Sequence, residues 1–511
     1  MPNGNGIDTL DATENLLEIS RFDGGLNIKT ANDLIGDTQA TVRVNCHTDE
    51  TGAIVKRGGR DYHYSTQITE NKGIYGLYKF YKRDGTGYFI AACDTKLHQD
   101  NGTDWSTEIK IGLTANKSFK FATYDISDIA LIVNGADAPM KYDGATVTAL
   151  GGSPPSTMVD VIVHNNRAFG YIPNSSYLYC SALGNMESWD TTNWKWLVGS
   201  TTGSHLTGMG VLQGMLALFK HDSVRLFMTD GDRTGWQMGD PLTNKGCVAR
   251  HTVCNAMLKG VPVLLYLGGD GVYAFDGRGS ISLTENNLDP IWTSSTYIYR
   301  INKSYAHTSC AVVHNGKYYL SYPSGSATLP NWMMVYDIIN GGWSFYDYGV
   351  NCFCKLSDAF DKGELYSGQT VLGYIQREEY GDDDFDADIT MQYKTKYFAP
   401  FGKNVVNQFW RQYVRAESNA SIILRTIMDI DFGIKQLTKD HYLVVSGATW
   451  NNVNWDEFDW VGGMEMFTYD ETLQQELNGR QIAIEFYNKS KVGLKVHYGG
   501  ILSTAEYMKQ G

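Results

Sequence analysis

Long apolar runs are missing from this chain: nowhere do eighteen or more apolar residues follow one another. That excludes a membrane-spanning helix, which needs about twenty such residues to cross the hydrocarbon core. The first residues, MPNGNGIDTLDATENLLEIS, have neither the basic region nor the apolar core of a secretory signal, so the chain reads as one made and folded in a cytosol. Cysteine is sparse and scattered, at positions 46, 93, 180, 247, 254, 310, 352 and 354, with no CxxC pair, which fits reduced thiols better than a disulfide frame. Cys352 and Cys354 form a CxC on one face of a strand, but no second pair completes a zinc site, and buried small hydrophobes are the expectation there.

Positive charge is also scarce. Lys and Arg number 43 against 56 Asp and Glu, for a formal net charge of −13. A surface that holds nucleic acid needs clustered cations to displace phosphate counterions, and this balance argues against one. It leaves room for an acidic wall past which nucleic acid slides.

Catalytic signatures are absent as well. No G-x-S-x-G elbow, HExxH, HxH or dinucleotide fingerprint occurs. His164, His221 and His314 fall at hairpin turns and read as polar turn residues. Propeller enzymes that cleave sialic acids repeat a Ser-x-Asp-x-Gly-x-x-Trp turn; the nearest stretch, TDGDRTGW (229–236), has Gly231 in place of the aspartate and Arg233 in place of the glycine. A glycosidase carboxylate pair cannot be singled out among 56 acids. The run YGDDDFDADI (380–389) lacks the turn glycine and closing glutamate of a calcium loop and reads as a solvated acidic linker. The expectation is a protein that is not an enzyme, with no catalytic residue, no cofactor and no metal.

What is abundant is β-structure. Glycine (54 residues) and aromatics (13%) are high, and helical periodicity is confined to LDATENLLEIS near the N-terminus and YDETLQQELN (469–478), both read as short helices. Pairs of β-like runs meet at tight-turn residues: Asp84-Gly85, Gly135, Asn165-Asn166, His221-Asp222, Gly269, Asn315-Gly316 and Gln369-Thr370. Asn-Gly and Asp-Gly supply the positive φ of a two-residue hairpin turn. Apart from one short interval, the turns recur about every 46 to 56 residues, close to the roughly 40 to 50 of a four-stranded propeller blade. GGDGVYAFDG (268–277), with the look of a phosphate loop, is followed by strand-like sequence and so reads as a blade hairpin. MKYDG (140–144) and MMVYDIINGGWSF (333–345) repeat its order of aromatic, aspartate and glycine.

The expected fold is all-β, a six- or seven-bladed β-propeller followed by a C-terminal β-sandwich-like domain: residues 1–40 an N-terminal arm, 41–380 the propeller, 385–511 the sandwich. TVRVNCH (41–47) and AIVKRGG (53–59) are the candidate strands for closing the ring, since an open ring leaves two sheet edges unpaired. Long alternating runs such as SIILRTIMDIDF and GRQIAIEFYNKS supply the sandwich, and WNNVNWDEFDW (450–460) reads as an aromatic loop.

Several phrases carry a resemblance. RFDGGLNIKTANDLIGDTQATVRVNCHTDETGAIVKRGGRDYH (21–63), YCSALGNMESWD (179–190), LGGDGVYAFDG (267–277), ELYSGQTVLGYI (364–375) and TKYFAPFG (395–402) are similar to the tail nozzle, or packaged-DNA stabilisation, proteins of short-tailed bacteriophages. The resemblance spans most of residues 20–415. It implies a structural virion protein of the tail, assembled in the host bacterial cytoplasm. The partners implied are five further copies in a homo-oligomeric ring of six, the portal and adaptor rings above it, tail fibres or spikes, and genomic DNA passing without sequence-specific binding. Such a ring extends the DNA channel, helps to retain packaged DNA and guides its ejection, and no catalytic or cofactor residue is carried over. The alternative is a receptor- or glycan-binding propeller of the phage tail, with exposed aromatics beside carboxylates at one propeller mouth.

Overall fold

The computed structural model describes residues 14–200, 203–356, 363–445 and 464–506, and the aromatic stretch 450–460 lies outside them. Almost all of the regular structure is strand, and the chain divides into two compact units, one formed by residues 59–381 and the other by 1–58 with 382–511.

Residues 59–381 form a β-propeller. Its blades begin with the strands Ile74–Tyr81, Lys120–Tyr124, Asp160–His164, Leu206–Leu212, Cys254–Leu258, Cys310–His314 and Val350–Leu356. Each opens a run of four antiparallel strands, and six of the seven blades form sheets of their own. The seven first strands touch one another in chain order and the last touches the first, which makes a closed ring of seven. The second strand of a blade packs against both neighbouring blades and is accordingly apolar on both faces: Ile129–Val133 (IALIV) and Arg167–Tyr171 (RAFGY) are buried throughout. Layers of side chains between blades, such as Phe80, Ile90, Phe119, Phe121 and Ile132 between the first two, form the core.

Local chemistry places the turns. Asn165 and Asn166 both have positive φ (46° and 57°), as do Asn315 and Gly316 (46° and 70°), so each pair makes the two-residue turn between a blade's first and second strands. The recurring aspartate has one job in three blades. It ends the third strand, and a carboxylate oxygen accepts two backbone N–H groups of the next turn: Asp143 from Ala145 and Thr146, Asp276 from Arg278 and Gly279, Asp337 from Ile339 and Asn340. Gly268–Gly277 is therefore scaffolding, with Val272–Phe275 as the fully buried third strand of the fifth blade.

The closing strand differs from both candidates. Arg60–Tyr62 pairs with Ile375–Glu378 to complete the seventh blade, while Ala40–Val44, Cys46–Thr48 and Ile54–Lys56 belong to the other unit. Next to it, Gly59 N–H donates to the Gly381 carbonyl (2.7 Å) and Tyr380 N–H to that of Gly59 (2.9 Å). Domain boundaries thus fall at 58/59 and 381/382, and the first 58 residues group with the C-terminal sandwich instead of forming an arm to residue 40 and a propeller from 41.

The sandwich has two sheets. In one, Cys46–Thr48, Ile54–Lys56, Leu494–Glu506, Val406–Ser418 and Glu465–Gly479 lie side by side, with Glu14–Ile19 also paired to Leu494–Glu506. The other contains Ala40–Val44, Ile389–Thr395, Ile482–Ser490, Ile422–Ile430 and Lys435–Leu443 in that order. Phe22, Met391, Phe409, Leu424, Phe486 and Val496 fill the core. Both expected helices are strands. In ENLLEI (14–19), Asn15, Leu17 and Ile19 alternate inward, and in Glu465–Gly479 the inward residues are Phe467, Tyr469 and Leu473. Helix propensity of a few tenths of a kcal/mol per residue loses here to a long ladder with a buried face.

The acidic run is held in place. Arg57, only 1% exposed at its side chain, makes a bidentate pair with Asp384 (Nη1–Oδ1 2.9 Å, Nη2–Oδ2 2.5 Å) and donates to Asn45 Oδ1 (2.9 Å). Asp382 accepts from Asn419 (2.8 Å) and Asp386 pairs with Lys491. Removing one partner of a buried pair leaves a charge without its counter-ion. Asp384→Ala is expected to cost about 3 kcal/mol, read as a fall in the denaturation midpoint against wild type, whereas Asp386→Ala on the exposed pair should change it by less than about 1 kcal/mol.

Candidate functional site

Up-and-down blades place the connections between blades, and the turns between second and third strands, at one end of the ring. Segments of both kinds surround a cavity of about 520 Å³ at that end: 116–118 and 305–308 from connections, 134–135 and 328–329 from turns. Tyr75 and Asn351, from the first strands of the first and seventh blades, complete its wall, and Arg250 projects into it. A smaller cavity of about 230 Å³ lies among the first strands, lined by residues that include Tyr75, Lys120, His251 and Cys352.

Arg250 is held by a rigid turn. It opens the 3-10 turn Arg250–Thr252, in which Thr252 Oγ1 donates to the Ala249 carbonyl (2.6 Å) and accepts the Leu267 N–H (3.1 Å), while Tyr318 OH donates to the Thr252 carbonyl (2.9 Å). From this base Nη2 donates to Ser118, to Oγ at 2.6 Å and to the carbonyl at 3.2 Å, and the buried Nε has no hydrogen-bond partner. Around it Tyr75 OH donates to Asn116 Oδ1 (3.1 Å) and Asn351 Nδ2 donates to the Thr370 carbonyl (3.2 Å).

The charge here runs against the protein's overall sign. Among the described residues lining the two cavities the charged side chains are Lys117, Lys120 and Arg250, with no aspartate or glutamate. Burial holds His307 and His251 below the ordinary imidazole range, assisted for both by Arg250 and for His251 also by Lys120, so both rings are neutral at pH 7. Nearby Asp137 is occupied by Thr114 N–H, Thr114 Oγ1 and Asn134 Nδ2 at 2.7–2.9 Å. Asp160, at the start of the third blade, is buried with Oδ2 unpaired; desolvation raises its pKa against the opposing pull of Lys120 and Arg250. The arrangement suits holding an anion by fixed donors.

Of the residues marked in the sequence, Cys352 borders the smaller cavity, and Cys354, His164, His221, His314 and TDGDRTGW lie outside both. Cys352 and Cys354 pack into the core between the seventh and first blades, where burial pushes the Cys354 thiol up to about 12. All eight cysteines are free, and among the described residues no group of three His, Cys, Asp or Glu could hold a metal ion. His221 is exposed in its turn, His164 is half-buried and His314 is buried. In TDGDRTGW, Trp236 stacks among Phe169, Trp196 and Phe227, and Arg233 lies over Trp194 at 4.2 Å, a packing role between blades. Nothing local in GCVARHTVC (246–254) marks Arg250. Only ring closure carries it to the axis.

Fold and cavity define the class: an all-β protein with a seven-bladed propeller and a β-sandwich. No family model and no curated protein matches the chain. Among solved structures, the computationally designed Ika8 protein is 9% identical with a TM-score of 0.37, over 61% of this chain and 98% of that one. PorZ, an essential bacterial surface component of the type-IX secretion system of Porphyromonas gingivalis, is 12% identical with a TM-score of 0.37, over 75% of this chain and 46% of that one. Likenesses this distant carry no argument about function.

Asp160 makes its surroundings testable. Its folded-state pKa lies above the ordinary carboxylate value of 3.8. Between that value and the raised one the folded state binds more protons than the unfolded state, so stability is lost as pH rises through this window. Asp160→Asn is expected to lack this loss, so the difference in melting temperature between variant and wild type should grow in the variant's favour from pH 4 to pH 7. A difference that stays flat or turns against the variant would contradict the assignment.

Proposed function

We propose that this protein is a structural subunit of a bacteriophage tail, a nozzle subunit that joins five further copies in a ring below the portal and adaptor. The ring would extend the DNA channel, help to retain packaged DNA and guide its ejection. The resemblance carried by residues 21–63 and the four later phrases supports this reading, and one structural observation gives it a surface to work with. On the sandwich, Ile423 lies directly opposite Tyr442 on neighbouring strands, and both are exposed, at 45% and 62%, beside Val444 at 64%. Tyr442 belongs to Lys435–Leu443, a strand with one sheet neighbour among the described residues, and the same holds for Glu465–Gly479 in the other sheet. Apolar side chains beside open strand edges are surfaces that sheet proteins normally cover or blunt. A ring built from heterologous contacts covers such a patch with a different patch on the next copy.

A second reading, a glycan-binding tail propeller, is favoured by the cavity at Arg250. The expected aromatics are there in Tyr75 and Tyr305, but the expected carboxylates are replaced by cations.

Native mass spectrometry of the full chain, alone and mixed with adaptor rings, tests the nozzle reading. A ring of six, or six copies captured per adaptor ring, is the expected result. A monomer or trimer that ignores the adaptor would overturn it. Ile423→Glu with Tyr442→Glu should abolish the ring while leaving the melting temperature within a few degrees of wild type, since both side chains are exposed.

A further inference from the structure

We infer that the cavity at the propeller mouth binds an acidic saccharide, a sugar ring carrying a carboxylate or phosphate. The inference deepens the glycan-binding reading and is independent of ring assembly. Three observations converge on it.

First, the charge. In a protein of net charge −13, Arg250 and Lys117 line this cavity with no acidic side chain among its described lining residues, and Lys120 lies in the adjoining one. Like-charge repulsion from the rest of the surface disfavours anion capture elsewhere, while a cationic concavity focuses an anion here. Second, unused capacity. Arg250 is anchored through Nη2 alone, and its Nη1 makes no hydrogen bond to the described residues, so part of a planar fork suited to carboxylate or phosphate remains available. Asn116 Nδ2 and Asn351 Oδ1 make no hydrogen bond to the described residues, which leaves one amide donor and one amide acceptor facing a hydroxyl-bearing ligand. Third, shape. The volume of about 520 Å³ sits within the range of small-molecule sites, and its lining includes Tyr75 and Tyr305, aromatic side chains of the kind that pack on the C–H side of a sugar ring. A bare inorganic anion would use the guanidinium and leave the amides and rings idle.

Isothermal titration of the full-length protein with glucuronate, glucose 6-phosphate, glucose and inorganic phosphate tests this. Glucuronate or glucose 6-phosphate should bind at least about tenfold more tightly than glucose, and which acid wins identifies the anionic group. Arg250→Gln should weaken the favoured acid by about tenfold or more in a protein that remains folded by circular dichroism. Should that variant fail to fold, exposed Lys117→Gln carries the test, with a several-fold loss that shrinks in high salt. Binding of glucose equal to that of the acids, inorganic phosphate as tight as the sugar phosphate, unchanged affinity in the folded variant, or no binding at all would each overturn the inference.

Discussion

Ring closure at Arg60–Tyr62 is the pairing on which the propeller depends. Seven blades in series would leave the first strand of one and the outer edge of another open to solvent, each a row of unpaired backbone groups. Taking the last blade's outer strand from the beginning of the propeller's own sequence, some three hundred residues before its partner Ile375–Glu378, ties the two ends of the ring together. The loop entropy of so distant a pairing grows only logarithmically with length, about 0.6 kcal/mol per doubling, so three backbone-paired residues and their neighbours hold it. The same pairing sets Gly59 against Gly381, so the chain enters and leaves the propeller at adjacent points. Because both ends of the sequence contribute strands to the sandwich, that unit can form only when the chain has turned back on itself in this way.

Around the closed ring the blades divide their labour by strand position. Second strands are buried on both faces and carry the interblade core; first strands face the axis and carry the polar chemistry. Lys120 and Asp160 are the opening residues of two first strands, and Arg250 precedes a third. Their mutual influence, with the Asp160 carboxyl raised by burial and restrained by two cations distant from it in sequence, is the electrostatics of a narrow space where charges far apart in the chain act on one another. The sandwich meets a similar problem with a different device. Arg57 is buried and satisfied by a bidentate carboxylate, an asparagine and a carbonyl. Lys56, beside it, is buried against the Ser490 carbonyl (2.7 Å), and desolvation brings its pKa down to about 8. Both depend on the aspartate run at 382–388, which is structural and not a loose linker.

Turn chemistry and strand alternation are local, and they were legible in the sequence. Asn165-Asn166 and Asn315-Gly316 announce positive φ through residue type, and IALIV announces burial through continuous apolarity. Gln213-Gly214 and Lys259-Gly260 make the same kind of turn, with φ of 50° and 79° and of 50° and 81°, but Gln and Lys carry no such signal. The one irregular interval between turns has a simple cause. Asp84-Gly85, Asn165-Asn166 and Asn315-Gly316 join first and second strands, whereas Gly135, His221-Asp222, Gly269 and Gln369-Thr370 join second and third, so the intervals mix two points of a blade and equal a blade length only on average.

The sequence by itself determined an all-β chain, a propeller of blade-length repeats and a separate run of longer sandwich strands, because alternation and turn chemistry are set by residues two to four apart and their recurrence can be followed along the chain. Tertiary structure decided the count of seven, the closing strand, the discontinuous sandwich and the fate of ENLLEI and YDETLQQELN, which became strands once a partner edge with a buried face was available. It also decided the cationic mouth. Arg250, Lys117 and Lys120 are ordinary residues in their own neighbourhoods, and only the circular arrangement of blades, a relation between segments far apart in the chain, brings them together around the cavities on one axis.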